Sequence, residues 1–154
     1  MILTTHALVG AVIGKYSDNM AIIALASVIL HYAMDILKHG DYYEEKRSLF
    51  QGFSKEFLDL SIAGILILSI IYLNKSTATE IYYMLWGISW SLLPDFLTLI
   101  YDKFNLNFLA PTYKLNRWVH DLFYTDAERV WTFKNLTNDF IISGAAIILL
   151  LFFK

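Results

Sequence analysis

Residues 27–41 read SVILHYAMDILKHGD and place a histidine and an aspartate inside an otherwise apolar stretch. His31 and Asp35 are four residues apart, a spacing that brings two side chains to the same face of a helix, about 5–6 Å apart at Cβ. An imidazole and a carboxylate so placed can bind one metal ion, share one proton, or form a hydrogen-bonded pair that joins two helices. Any other polar residue of an apolar stretch becomes a candidate site residue if it can reach this pair.

The composition is that of an integral membrane protein. Hydrophobic residues make up 57% of the 154 residues and charged residues 17%, against about 45–50% and about 25% in typical soluble domains. The mean hydropathy is +0.51. The length suits one domain, residues 1–154, and the net charge of −2 argues against a nucleic-acid partner. Because the chain has no cysteine, any metal must be bound by His, Asp or Glu.

Apolar stretches alternate with polar turns, which predicts an all-α bundle in the membrane. Residues 2–14 predict a short helix, capped by Thr5, that cannot cross a hydrocarbon core of about 30 Å alone. Four longer stretches predict full transmembrane helices: 20–38, 57–73, 81–101 and 136–153. Residues 39–56 indicate a charged loop, and Pro94 predicts a kink in its helix. Residues 116–131 predict an amphipathic helix lying in the membrane interface.

The basic residues are unevenly divided between the two faces of this bundle. If the apolar stretches cross or dip alternately, the loop at 39–56 and the segment 102–135 share one face. That face holds nine of the 12 Lys and Arg residues, namely Lys38, Lys46, Arg47, Lys55, Lys103, Lys114, Arg117, Arg129 and Lys134. The positive-inside rule makes it the cytoplasmic face.

Ionisable residues from five predicted elements reach a similar depth near that face. They are His6, the pair His31 and Asp35, Asp59, Asp95 and His120. Ionisable groups inside a membrane are costly and usually functional. We expect four of them to bind a metal ion: His6, His31, Asp35 and Asp95. Asp59 and His120 are the candidates for moving protons.

Each candidate also has a structural interpretation. Asp95 follows a proline and could simply end or kink its helix. Asp59 could interact with the positive N-terminal end of a helix. His120 could face water, and His39 is expected to be solvated.

Three short motifs resemble those of a known family: Thr5-His6 followed by Gly10, then Leu93-Pro94-Asp95, then Arg117 with His120. Together they resemble the bacterial membrane-bound metal-dependent hydrolases, which are distantly similar to zinc-dependent phospholipases C. In that group a Thr-His opens the first helix, a Pro-Asp closes an apolar helix, and an Arg-containing Thr-His element completes the polar cluster. Here Val119 stands in place of that threonine, and the spacing from arginine to histidine is one residue shorter.

The resemblance implies an enzyme embedded in a bacterial or archaeal cell membrane that hydrolyses a phosphoester of a membrane lipid with a metal-activated water. Zinc is the expected ion, since histidine and carboxylate ligands suit it.

Two non-enzymatic functions stay open. A small transporter or proton-relay protein would use the same residues as a relay and would spread them through the membrane depth, whereas here they gather near one face. A lipid-binding scaffold would use the polar cluster only for helix association and would bind no metal.

Overall fold

The computed structural model describes residues 1–40, 49–124, 128 and 132–153, and this part of the chain is all-helical, without a strand. The helices are α1 (Leu3–Lys15), α2 (Met20–Asp35), α3 (Leu49–Asn74), α4 (Ala78–Phe104), α5 (Ala110–Asp121) and α6 (Thr137–Phe152). A short 3-10 helix, Asn107–Leu109, precedes α5. The all-α class predicted from the sequence is confirmed.

Two of the described helices are long and apolar enough to cross a membrane: Ser54–Asn74, within α3, and Ala78–Phe104, which is α4. The apolar helices α2 and α6 have 16 residues each. At about 1.5 Å per residue they measure about 24 Å, against a hydrocarbon core of about 30 Å. They are shorter than the predicted stretches 20–38 and 136–153, so length and hydropathy support two of the four predicted full crossings.

The central helix is α1, which packs on α2, α3, α4 and α6. Its closest approach is to α4, where Gly10 faces Gly87 and Gly14 faces the backbone of Tyr83. A Cβ atom on Gly10 would lie 2.6 Å from the carbonyl oxygen of Gly87, closer than real Cβ contacts. Small residues permit such backbone contact between membrane helices. Away from the glycines, the core around α1 is apolar and includes Leu8, Ala11, Met84 and Leu150.

Two helix starts differ from the prediction. The first helix begins at Leu3, so Thr5 is not its cap; it lies inside the first turn, and its Oγ1 is 2.9 Å from Ser143 Oγ on α6. The third helix begins at Leu49, so the end of the loop predicted at 39–56 is helical. Residues 41–48 of that loop lie outside the described residues.

The predicted interfacial helix is displaced along the chain. It begins at Ala110 rather than at residue 116, because Pro111 lies in its first turn, where proline needs no hydrogen-bond partner and favours helix initiation. It ends at Asp121, and residues 125–127 and 129–131 of the predicted helix lie outside the described residues. Pro94 lies inside α4, which continues past it to Phe104, so the kink stays a prediction.

The bundle has two distinct ends, because the helices run alternately up and down. At the polar end α1 begins, and the Leu3 N–H donates to Asp59 Oδ2 of α3 at 2.6 Å. At the far end α1 finishes beside the last turn of α6, where Lys15 Nζ donates to the Leu150 carbonyl at 2.6 Å. The candidate site residues gather at the polar end.

Candidate metal centre

All four histidines of the chain lie together at the polar end, with two aspartates. We call this group the His/Asp cluster; its members are His6 (α1), His31 and Asp35 (α2), His39 (just after α2), Asp95 (α4) and His120 (α5). Four helices therefore contribute to one site in a chain that is otherwise mostly apolar.

Asp35 lies at the centre of the cluster and is fully buried. Its Oδ1 is 3.2 Å from His6 Nε2, and its Oδ2 is 3.1 Å from His31 Nε2 and 3.2 Å from His120 Nε2. Oδ1 also accepts a hydrogen bond from the Met1 ammonium at 2.8 Å. The spacing of four residues thus places His31 and Asp35 on one helix face, as the sequence predicts.

Asp95 approaches the same histidines from α4. Its Oδ2 is 3.9 Å from His6 Nε2, and its Oδ1 is 3.6 Å from His31 Nε2. Asn116 of α5 donates from Nδ2 to Asp95 Oδ1 at 3.3 Å and so helps to orient the carboxylate. The side chains of Asp95 and His120 are 25% and 13% exposed, whereas those of His6 and His31 are fully buried. The cluster therefore opens to its surroundings beside Asp95 and His120.

Ser91, which the sequence analysis does not single out, connects the two buried histidines. His31 Nδ1 donates to the Ser91 carbonyl at 2.8 Å, and Ser91 Oγ donates to the His6 carbonyl at 2.8 Å. A carbonyl only accepts, so Nδ1 of the His31 ring carries a proton, and Nε2 is the nitrogen that faces the cluster. Metal-binding histidines are commonly held in this way. The rings of His6 and His31 stack at a centroid distance of 4.1 Å.

His39 is fully buried, so the expectation that it is solvated is wrong. The chain after α2 places it against α5, with its ring edge-on to His120 at 5.3 Å between centroids. Its Nδ1 donates to the Leu37 carbonyl at 2.7 Å. Burial lowers the pKa of the His39 imidazole to about 2, so the ring is neutral, the form that binds metals. The sequence did carry a signal, since His39 follows Asp35 by the same four residues that separate Asp35 from His31.

The donor spacing fits ligands arranged around an ion. Tetrahedral zinc with bonds of about 2.0–2.1 Å spaces its ligand atoms about 3.3 Å apart. The contacts of His6 and His31 with the two aspartates measure 3.1 to 3.9 Å. His31 Nε2 and Asp35 Oδ2 are buried and, within the described residues, form no hydrogen bond although they are 3.1 Å apart. Unsatisfied buried polar atoms are costly, and a bound divalent ion would satisfy both.

Asp59 has its described contacts at the start of α1. Its carboxylate accepts hydrogen bonds from the N–H groups of Leu3 (2.6 Å) and Thr4 (3.3 Å) and from the Thr4 hydroxyl. Asp139, also buried, accepts from the Ile2 N–H at 3.0 Å. The first N–H groups of a helix have no acceptor within it, so both carboxylates act as caps of α1. These contacts give Asp59 a structural role at the start of α1, and its part in proton transfer stays a prediction.

Comparisons of this chain with protein-family models, with curated proteins and with solved structures give no match.

Proposed function

We propose that this protein is a membrane-embedded, metal-dependent hydrolase that acts on a phosphoester of a lipid. One observation carries the proposal: every histidine of an apolar chain converges with two aspartates on one partly open site. Buried polar side chains that lack hydrogen bonds need another partner, and a divalent cation fits this set of nitrogen and oxygen donors. Zinc suits histidine with carboxylate ligands.

Four side chains would hold the ion: His6, His31, Asp35 and Asp95. When bound, the ion supplies Lewis-acid activation of water and of a phosphoryl oxygen. The chain's own contribution is position: Ser91 fixes the ring of His31, and Asn116 orients Asp95. If one ion is bound, His120 at the open side is the group placed to move a proton to or from the substrate.

A groove between α3 and α4 supports a lipid as the substrate. It has a volume of about 260 Å³ and is lined by apolar residues together with Gly64. On each wall the lining extends over about 16 Å, along residues 60–71 and 81–92, at about 1.5 Å per residue. That is about half of a hydrocarbon core of ~30 Å, and so about one leaflet. Leu92 and Ser91 are adjacent, so an acyl chain in this groove would have its headgroup level with the cluster.

We propose further that α2, α3, α4 and α6 all cross the membrane, with the polar end at the cytoplasmic face. The alternating helix directions and the excess of Lys and Arg at that end support this arrangement. Because the chain has no cysteine, introduced cysteines report on it directly. An impermeant thiol reagent added to intact cells should label Thr79→Cys, in the first turn of α4, and spare Lys114→Cys, on α5. The reverse pattern would overturn the orientation.

The position of the polar residues favours an enzyme over a proton relay. Among the described residues, the buried ionisable groups all lie at the polar end, and the buried residues farther from that end are apolar apart from the hydroxyl of Ser27. A relay across the membrane needs ionisable groups throughout its depth. A lipid-binding scaffold would bind no metal in the cluster. Measuring the metal content of the purified protein therefore distinguishes the enzyme from the scaffold as well.

Lipid hydrolysis tests the proposal. The full chain, purified in detergent and loaded with zinc, is mixed with micelles containing phosphatidic acid and phosphatidylglycerol, and released phosphate and headgroup are measured. We expect release that EDTA stops and added zinc restores, and a loss of at least about 100-fold in Asp95→Asn. The exposed neighbour of His120 provides the matched control, Asp121→Asn, which should keep full activity. A wild-type protein that neither binds zinc nor releases product would contradict the proposal.

A further inference from the structure

We infer that the His/Asp cluster holds two metal ions, with the carboxylate of Asp35 shared between them. His6, His31 and Asp95 form the first group of ligands, and Asp35, His39 and His120 form the second. The inference rests on the proposed metal-dependent function and adds to it a second ion, two further ligands and a preference among substrates.

The number of donors and their grouping carry the argument. Six side chains converge, whereas tetrahedral zinc takes four ligands, of which a catalytic site usually takes three from the protein. Within each group of three, the candidate ligand atoms all lie within 4.8 Å of one another. Each group contains two imidazoles and one carboxylate, so both have the same donor chemistry.

The carboxylate of Asp35 contacts both groups. Its Oδ1 lies 3.2 Å from His6 Nε2 in the first group. Its Oδ2 lies between the groups, 3.1 Å from His31 Nε2 of the first and 3.2 Å from His120 Nε2 of the second. Oδ2 is also one of the buried atoms that form no hydrogen bond in the described part of the chain. A carboxylate in this position can bridge two ions, which in two-metal hydrolytic sites lie about 3.5–4 Å apart.

His39 and His120 fit the second ion as ligands. The bond from His39 Nδ1 to the Leu37 carbonyl places the ring proton on Nδ1, so the lone pair is on Nε2. His120 Nε2 already points at Asp35. With two ions bound, His120 is a ligand, and proton transfer falls to solvent at the open side of the cluster.

The charge of the loaded site points to the class of substrate. Two divalent ions carry four positive charges and the Met1 ammonium beside Asp35 carries one, whereas the ligands Asp35 and Asp95 carry two negative charges. The remaining positive charge suits a phosphomonoester, which carries about −1.5 to −2 at pH 7, better than a singly charged phosphodiester. A lipid phosphomonoester such as phosphatidic acid is therefore the preferred substrate.

Metal stoichiometry tests the second site without relying on activity. The full chain is purified in detergent, stripped with chelator, reloaded with Co²⁺ and freed of unbound ion before metal per chain is measured by mass spectrometry. We expect about two ions in the wild type and about one in His39→Gln and in His31→Gln. Asp35→Asn should weaken binding of both ions, since it is the shared ligand. The exposed control Asp121→Asn should keep about two.

The outcomes separate this inference from the proposed function. One ion in the wild type, unchanged in His39→Gln, would overturn the second site and leave a single-metal hydrolase. No ion in the wild type would remove both. Two ions in the wild type with one in Asp35→Asn would show independent sites and overturn the shared ligand. If His39→Gln fails to fold by circular dichroism, His120→Gln removes another ligand of the same group and should give the same loss of one ion.

Discussion

The two ends of this bundle differ in what their polar side chains contact. At the far end, Lys15 Nζ and Asn74 Nδ2 both donate to the Leu150 carbonyl at 2.6 Å, and Tyr16 Oη donates to the Phe153 carbonyl at 2.6 Å. The last carbonyls of a helix have no donor within it, so these side chains complete the hydrogen bonding of α6. The far end is satisfied by the chain itself.

The polar end combines both kinds of group. Asp59 and Asp139 satisfy the first N–H groups of α1 in the same structural manner. Beside them, however, His31 Nε2 and Asp35 Oδ2 are buried without a hydrogen bond within the described residues. Asp139 Oδ2 and Ser27 Oγ are also buried without a hydrogen bond within the described residues, so unsatisfied atoms alone do not distinguish the cluster. What distinguishes it is that four histidines and two aspartates lie together there, and this concentration supports the proposed metal site.

The largest expected effect is a loss of stability when α1, the helix that joins the two ends, can no longer pack against α4. In Gly10→Leu, the new side chain would meet the backbone of Gly87, with the Cβ atom 2.6 Å from its carbonyl oxygen. We expect α1 to be displaced from α4 and the free energy of unfolding to fall by more than about 3 kcal/mol. The hydrogen bonds of α1 at both ends of the bundle should be lost together. Thermal melting in detergent measures this. The control is Gly64→Ala, since nothing lies within 4 Å of a Cβ there; equal melting of both variants would contradict the packing argument.

The next largest effect is a loss of metal affinity that should be confined to the polar end. Asp35→Asn replaces the central carboxylate, so we expect metal affinity to fall by more than about 100-fold, beyond the loss typical of outer-sphere changes. Helix content should persist, because the backbone hydrogen bonds lie within each helix. Metal analysis and circular dichroism measure the two quantities. A wild-type protein whose melting temperature is the same with and without chelator would argue instead that the cluster is structural.

A smaller effect is expected for a residue that orients a ligand. Asn116→Leu removes the 3.3 Å hydrogen bond to Asp95 Oδ1 while keeping a side chain of similar size. Metal affinity should fall by about 10–100-fold, which a competition titration with a chromophoric chelator measures. Thr112→Val on the same helix is the control, because its hydroxyl bonds the nearby Leu109 carbonyl. Equal affinity in Asn116→Leu and the wild type would exclude Asn116 from the site.

The smallest effect is expected at the far end. Lys15→Met removes the hydrogen bonds to the last turn of α6 and should lower the free energy of unfolding by about 1 kcal/mol. Metal affinity should stay within about twofold of the wild type, since no ligand is near. Chemical denaturation and the same titration measure both. A loss of metal affinity as large as that of Asn116→Leu would mean that the two ends are not independent.

The sequence predicts the depth of each residue better than its direction. Counting along the apolar stretches placed His6, His31, Asp35, Asp95 and His120 at one level, and the structure brings these five together. Their role as metal ligands stays a prediction. Depth alone could not distinguish Asp59, which lies at the same level but turns toward the start of α1. Which neighbour a side chain faces depends on how the helices are rotated against one another, and the chain order does not fix that.

Helix ends were predicted less well than helix identities. Ile36 and Leu37 are apolar and extend the hydropathy pattern, yet α2 ends at Asp35. His39 was missed for the same reason, because it stands in the irregular segment that follows. Apolar character continues where the backbone has already left the helix, so hydropathy overestimates helix length and misplaces the residues just beyond.

Because α1 lies at the centre of the bundle, its partners become available to it one after another during synthesis of the chain. It has 13 residues, about 20 Å, too few to cross the membrane alone. Its closest partner, α4, begins at Ala78, and at about 5–20 residues per second the ribosome needs roughly 3–13 seconds to reach it from the end of α1. During this interval Gly10 and His6 have no partner on α4. His120 is made later still, so the His/Asp cluster, and with it the proposed metal site, is complete only after most of the chain has been translated.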